Sequence, residues 1–237
     1  MGRTSRRSSR SWYKHVCAGL GFLAVLLLLS GCLPAPSAWV GSGPRVAVAG
    51  DSLIYQLEHD AMNDAQHHMT DAFVAADYTV STSTLIGAST GDLAGFVQSS
   101  PSTAGWPGPG PHITVTALGV NDMHIDTTTG QPSTPVATAK ANYTAYLNAV
   151  DAAGSQCDVL VEIPNTTPWG LNQTGPSWNA FLASAAGSRV AVVVPWAGTV
   201  AQHPEYLDAG GVHQTALGKA AYLAAILGAV EQCAAHV

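Results

Sequence analysis

Apolar and polar positions change over along this chain in a coarse, regular rhythm. Five short apolar runs, at residues 46–49, 78–82, 113–118, 159–163 and 190–194, are separated by longer stretches of mixed character. Short runs of this kind, partly β-branched and bounded by turn residues, predict buried strands. The stretches 53–75, 91–98, 134–152 and 177–186 predict helices between them, and 215–233 predicts a last one. Strands spaced by helices point to βαβ crossovers and a parallel sheet covered on both faces. In such sheets the ligand site lies beyond the carboxyl ends of the strands. The loops on that edge are 51–52, 85–90, 120–132, 164–176 and 195–213. The Pro/Gly-rich loop 99–111, with Trp106, joins helix to strand and so falls on the opposite edge, where a structural role is expected.

The first thirty-two residues read as a leader rather than as part of the domain. Arg3, Arg6, Arg7, Arg10 and Lys14 form a basic start, and residues 16–29 an apolar run too short for a comfortable membrane span. Its end, Leu29-Ser30-Gly31-Cys32, resembles the bacterial lipobox. That resemblance implies cleavage before Cys32, lipid attached to it, and an extracytoplasmic protein anchored to the cell membrane. A plain secretory signal and an uncleaved anchor are the other readings. Residues 33–44, rich in Pro, Ala, Ser and Gly, then read as a tether, and 45–237 as one domain with no internal repeat.

Removing the leader changes the charge. It holds five of the nine Lys+Arg and none of the fifteen Asp+Glu, which leaves four cations against fifteen acids, a formal −11. Four scattered cations build no basic patch, so nucleic-acid binding is excluded, and the lipid alone would hold the domain at a membrane. Cys157 and Cys233 remain in the domain. Export permits disulfides, and a bridge here is the expected state; two buried thiols are the other reading.

Four short motifs carry the candidate chemistry. Gly50-Asp51-Ser52-Leu53 follows the first strand and opens a helix, with Ser52 at or near the N-cap. A serine on that turn exposes its hydroxyl at the site edge beside unpaired backbone N–H groups. After the second strand, Gly87 can bring a backbone N–H close to a ligand. After the third, Gly119-Val120-Asn121-Asp122 offers a side-chain amide. Before the last helix, Gly211-Val212-His213 offers an imidazole.

In this order, across nearly the whole domain, the four motifs resemble those of the SGNH (GDSL-type) hydrolases. The resemblance implies a three-layer α/β/α sandwich on a five-stranded parallel, flavodoxin-like sheet. It implies Ser52 as nucleophile, His213 as base, and an oxyanion hole made by the Ser52 N–H, the Gly87 N–H and the Asn121 amide. The activity implied is that of a monomeric, cofactor-free serine ester hydrolase acting on an acylated glycan or lipid of the cell envelope. An O-acyltransferase using the same residues, and an inactive binding lipoprotein of the same fold, are the alternatives. The Gly-x-Ser-x-Gly elbow of the α/β-hydrolases is absent.

One position departs from the family pattern. Its acid stands three residues before the histidine, where this chain has Gly210; the nearest carboxylate is Asp208. Asp208 is expected to complete the triad through a bulged turn. The alternatives are a Ser–His dyad with a backbone carbonyl orienting the ring, or Asp208 as a surface residue. His124 and Trp169, in site-edge loops, are candidate substrate contacts, as is Trp178. His59, Asp60, Asp64, His67 and His68 have metal-like helical spacing, but a polar outer helix face explains them and no metal is expected. The Asn-x-Thr sequons at Asn142, Asn165 and Asn172 have no expected use in a bacterial lipoprotein.

Overall fold

Strand β1 (Arg45–Gly50) has no charged side chain beyond Arg45, and every residue from Val46 onward is buried. That places it at the centre of a sheet covered on both faces. The structure, a computed structural model, describes residues 33–59 and 68–237. The leader, Cys32, and Asp60, Asp64 and His67 of the metal-like cluster lie outside the described residues. The other strands are β2 (Thr79–Thr84), β3 (Ile113–Ala117), β4 (Cys157–Val161) and β5 (Ala191–Val194). All pair in parallel, in the order β2-β1-β3-β4-β5.

The described helices are α1 (Ser52–Glu58), α2 (His68–Ala75), α3 (Thr90–Ser99), α4 (Val120–Met123), α5 (Val136–Ala152), α6 (Leu171–Ala186), α7 (Trp196–Gln202) and α8 (Ala216–Ala234). α1, α2 and α8 cover one face of the sheet, and α3, α5 and α6 the other, giving the expected three-layer α/β/α sandwich. Aromatic contacts fill both interfaces. Trp196 meets Tyr222 at 4.6 Å on the α8 side, and Tyr143 meets Trp178 edge-on at 5.4 Å on the other. Trp106, in the loop 99–111, is buried edge-to-face on Phe96 at 4.9 Å.

The structure differs from the sequence expectation in three ways. α6 begins at Leu171, ahead of Pro176, where proline rules suggested the helix would only just be starting. Burial of Leu171, and the Thr174 hydroxyl donating to Met123 O at 2.6 Å, hold that extra turn in place. α4 and α7 are short helices inside site-edge loops, too brief to show a periodicity. The third difference is residues 33–44, expected as a tether. Instead this segment runs antiparallel along the outer edge of β2. Val40 exchanges N–H···O bonds with Val80 at 2.9 and 2.8 Å, Ser37 N donates to Thr82 O at 2.9 Å, and Ser83 Oγ donates to Pro34 O at 2.7 Å. A proline-rich composition suits a linker, but it equally suits a strand edge, which needs no donor on its outer side.

Cys157, at the start of β4, and Cys233, near the end of α8, are joined as a disulfide with Cα atoms 5.5 Å apart. The bridge closes a loop with a sequence separation of 76, worth roughly 4 kcal/mol on the chain-entropy account. Reduction, or Cys233→Ser, is therefore expected to lower the melting temperature by about 10 °C. Differential scanning calorimetry with and without reductant measures it; an unchanged melting temperature would refute the assignment.

Candidate active site

The site grows out of one level in the sheet. Gly50, the last residue of β1, pairs with Thr84 of β2 and Ala117 of β3. Just beyond that level Leu85 N donates to Gly50 O at 3.1 Å, and Asp51 N donates to Ala117 O at 3.3 Å. Here β1 turns sharply into α1. A Cβ on Gly50 would come within 2.6 Å of the Ile54 side chain, so only glycine lets the helix fold back this closely. Asp51, rather than Ser52, is the N-cap: its carboxylate accepts the Leu53 N–H at 2.9 Å. Ser52 is then the first helical residue, where an N–H has no partner within the helix.

Ser52 and His213 meet although 161 residues separate them: Ser52 Oγ lies 3.1 Å from His213 Nε2. The serine is 8% exposed. Gly87 sits in the exposed turn after β2 at φ +82°. Among the described residues, neither the Ser52 nor the Gly87 N–H donates a hydrogen bond. Asn121, on α4, donates from Nδ2 to Ala88 O at 2.8 Å. That bond fixes the amide and leaves its second N–H available. It also ties Asn121 to the residue after Gly87.

Two features that the sequence reading did not single out hold this arrangement. Gly119, at φ +130°, lies against the Trp178 indole, 2.4 Å from where a Cβ would stand. Trp178 is thus a buried floor under the α4 turn rather than a wall of the pocket. Asp122 is buried and accepts from Thr90 N at 2.9 Å and Thr90 Oγ1 at 2.8 Å, which locks the start of α3 to α4. The signal for Asp122 was present, since it is the fourth residue of Gly-Val-Asn-Asp.

The histidine loop is held differently from the expectation. Asp208 is exposed, and its main-chain N–H donates to His213 O at 2.8 Å. No hydrogen bond joins the Asp208 carboxylate to the imidazole, and among the described residues none accepts from His213 Nδ1. The glycine pair Gly210-Gly211 forms a tight turn, closed by Gly211 N donating to Asp208 O at 2.9 Å. Thr166 Oγ1 anchors the turn on Gly211 O at 2.6 Å. Trp169 stands edge-on to His213 at 6.2 Å and to His124 at 5.5 Å, so the tryptophan lies between the two histidines. His124 is in turn fixed through Nδ1 by Asn121 O at 3.0 Å. Among the described residues no group of three or more His, Cys, Asp or Glu is placed to hold a metal ion.

Buried acid is the main electrostatic feature beside Ser52. Burial pushes the Asp51 carboxyl up to about 7; the Leu53 N–H bond opposes this and the Asp122 charge adds to it. One Asp51 oxygen is buried without a hydrogen-bond partner among the described residues. Burial also raises Asp122, Asp158 and Glu162. A carboxyl whose pKa is higher folded than unfolded stabilises the fold below the unfolded value, and that stability is lost as pH rises through the folded value. Stability is therefore expected to fall between about pH 4 and pH 7. Asp51→Asn keeps an oxygen for Leu53 N and carries no charge. Its melting temperature is expected to fall less over this range and to exceed that of the unsubstituted protein at pH 8. Thermal melts across the range check this, and parallel curves would refute it.

No protein-family model matches the sequence, and no curated protein matches it. Solved structures do match in fold. A lipase/acylhydrolase from Enterococcus faecalis superposes with a TM-score of 0.58 at 16% identity, covering 78% of this chain and 94% of that one. A mutant of Axe2, an acetyl-xylooligosaccharide esterase from a Geobacillus species, gives 0.61 at 13%, covering 81% and 95%. AlinE4, an SGNH-hydrolase family esterase, gives 0.54 at 19%, covering 81% and 97%. The chain thus has the α/β/α fold of the SGNH hydrolases, with its serine and histidine in contact at the site edge of the sheet.

Proposed function

We propose that this protein is an extracytoplasmic serine ester hydrolase, tethered by lipid at Cys32, that works through an acyl-Ser52 intermediate. The observation that carries the reading is the 3.1 Å contact between Ser52 Oγ and His213 Nε2, at a turn where the Ser52 N–H has no partner among the described residues. The lipases and esterases among the fold neighbours support the same chemistry.

In this mechanism His213 Nε2 takes the Ser52 proton as Oγ attacks the ester carbonyl. The tetrahedral oxyanion is held by the Ser52 N–H, the Gly87 N–H and the free N–H of Asn121. His213 then protonates the leaving alcohol, and later draws a proton from water as it attacks the acyl-serine. That second proton goes back to Ser52 Oγ as the acid product leaves. Trp169, between His213 and His124, walls the site beside the histidine. The geometry supports a Ser52–His213 dyad, with Asp208 bracing the loop through its main chain. Fold neighbours named as acetyl-xylooligosaccharide and acetyl xylan esterases support a short acyl group on a glycan. An acylated glycan or lipid of the envelope fits the export reading.

The test is labelling of the purified domain with a fluorophosphonate, beside Ser52→Ala and a panel of acetyl to long-chain nitrophenyl esters. Ser52-dependent labelling and turnover are expected; labelling that survives Ser52→Ala would overturn the proposal. In the same assay Asn121→Ala is expected to lower kcat by roughly 10²–10³-fold with little change in KM. Asp208→Asn is expected to change kcat by less than roughly threefold, against the ~10⁴-fold loss typical when a carboxylate orients the histidine. A loss of that larger size would restore Asp208 to a triad.

A further inference from the structure

Charge is distributed very unevenly over the fold. Beyond residue 32 the chain has fifteen acidic and four basic residues, yet 33–50 and 78–121 contain just two of these nineteen, Arg45 and Asp92. Both are engaged. The Arg45 guanidinium donates to Gly110 O at 2.7 Å and meets His112 Nε2 at 2.9 Å. Asp92 is buried, accepting from the N–H and hydroxyl of Ser89 at 2.7 and 2.9 Å.

The surface parts of these stretches adjoin one another. They are the edge segment 33–44, β2, the turn 85–89, α3 and the loop 100–111, which together make the β2 flank of the domain. The flank is uncharged and carries two exposed large apolar side chains. Val40 and Ile86 are 46% and 47% exposed. A groove of about 590 Å³ opens on it, lined by Leu33, Pro36, Phe96, Trp106 and Pro107 among others. Ile86 stands next to Gly87, at the mouth of the site.

The position of Leu33 adds a second observation. Leu33 is buried on this flank, and the next carbonyl, Pro34 O, is held by Ser83 Oγ at 2.7 Å. Ser83 pairs with Ala49 of β1. The segment carrying Leu33 is thus two strand spacings from β1, roughly 10 Å, at the level from which Ser52 emerges. A lipid on Cys32 would be one residue from a docked, buried position, with no slack between anchor and fold.

We infer that the β2 flank is the surface on which this domain rests against the lipid bilayer. The inference depends on the lipoprotein reading of Cys32 and deepens it. An anionic leaflet repels a domain with a formal charge of −11, so an anchored domain turns its acids away. Within these stretches no acid is exposed, and the exposed Asp77 beside Gly43 stands at the start of β2, the end away from the site; Val40 and Ile86 reach the headgroup layer. The mouth of the site then opens along the bilayer surface. The substrate class favoured is an amphiphile whose ester lies at headgroup depth and enters sideways past Ile86.

The experiment uses the full chain exported and processed in a bacterial host, with acylation of Cys32 established by peptide mass. It is reconstituted in vesicles of phosphatidylcholine and phosphatidylglycerol containing a doxyl-labelled lipid. Because Cys157 and Cys233 are bridged, an introduced cysteine is the thiol that takes a bimane label. Ile86→Cys and Val40→Cys are expected to lose most of their emission to the doxyl lipid. Val190→Cys, 49% exposed at the start of the far-edge strand β5, is expected to keep its emission. Equal quenching at all three positions, or quenching at Val190 alone, would overturn the inference, as would an unacylated Cys32. Fluorophosphonate labelling of the same samples reports the esterase reading separately, whichever way the quenching falls.

Discussion

Three parallel strands ending at one level set the geometry on which the site depends. Thr84, Gly50 and Ala117 lie side by side in β2, β1 and β3, and the chain leaves the sheet from each of them. The turn after β2 delivers Gly87, the turn after β1 delivers Ser52, and the turn after β3 delivers Asn121. Register in a parallel sheet buried on both faces is strongly specified, because a one-residue slip would carry every side chain to the wrong layer. The alternation of Val46 and Val48 with Ala47 and Ala49 fixes it here. Short bonds beyond the level then lock the three turns to one another: Asp51 N to Ala117 O, Leu85 N to Gly50 O, and Asn121 Nδ2 to Ala88 O. Residues far apart in sequence are thereby placed without any long side chain having to reach.

This is why so much of the fold was legible in the sequence. Strands buried on both faces announce themselves as apolar runs, and loops that follow them must lie on the site edge. That filter and the family resemblance together single out Ser52, Gly87, Asn121 and His213, and the structure puts Ser52 and His213 in contact. What the sequence hid is local. Whether Asp51 or Ser52 caps α1 depends on backbone angles at a single turn, and both residue types favour an N-cap. The contact of Trp178 with Gly119 is tertiary, and no spacing encodes it. The edge segment was concealed by composition, because prolines that forbid a central strand are tolerated on an outer edge. The path of 210–213 was concealed too, since two glycines in succession leave its backbone angles open.

The histidine is where the chain departs most from the SGNH sequence pattern. With glycine at 210, the loop is held by its main chain: Asp208 N to His213 O, Gly211 N to Asp208 O, and Thr166 Oγ1 to Gly211 O. Trp169 limits the ring from one side. Among the described residues no carboxylate is hydrogen-bonded to the His213 ring. Acid is nevertheless abundant around the serine. Asp51 and Asp122 are both buried with their pKa values raised, and both are tied to helix starts, at Leu53 and Thr90, rather than to His213. The prominent aspartate of Gly50-Asp51-Ser52-Leu53 is thus a structural cap.

The most direct measurement is the trapping of the covalent intermediate itself. Rapid acid quench during turnover of a nitrophenyl acyl ester, followed by proteolysis and peptide mass spectrometry, would locate the acyl group. An acyl group on the peptide containing Ser52, at Oγ of that residue and absent when His213 is replaced by alanine, is the result that nucleophilic catalysis by Ser52 requires. Turnover with no acylated Ser52 peptide, or with the acyl group on another side chain, would contradict it.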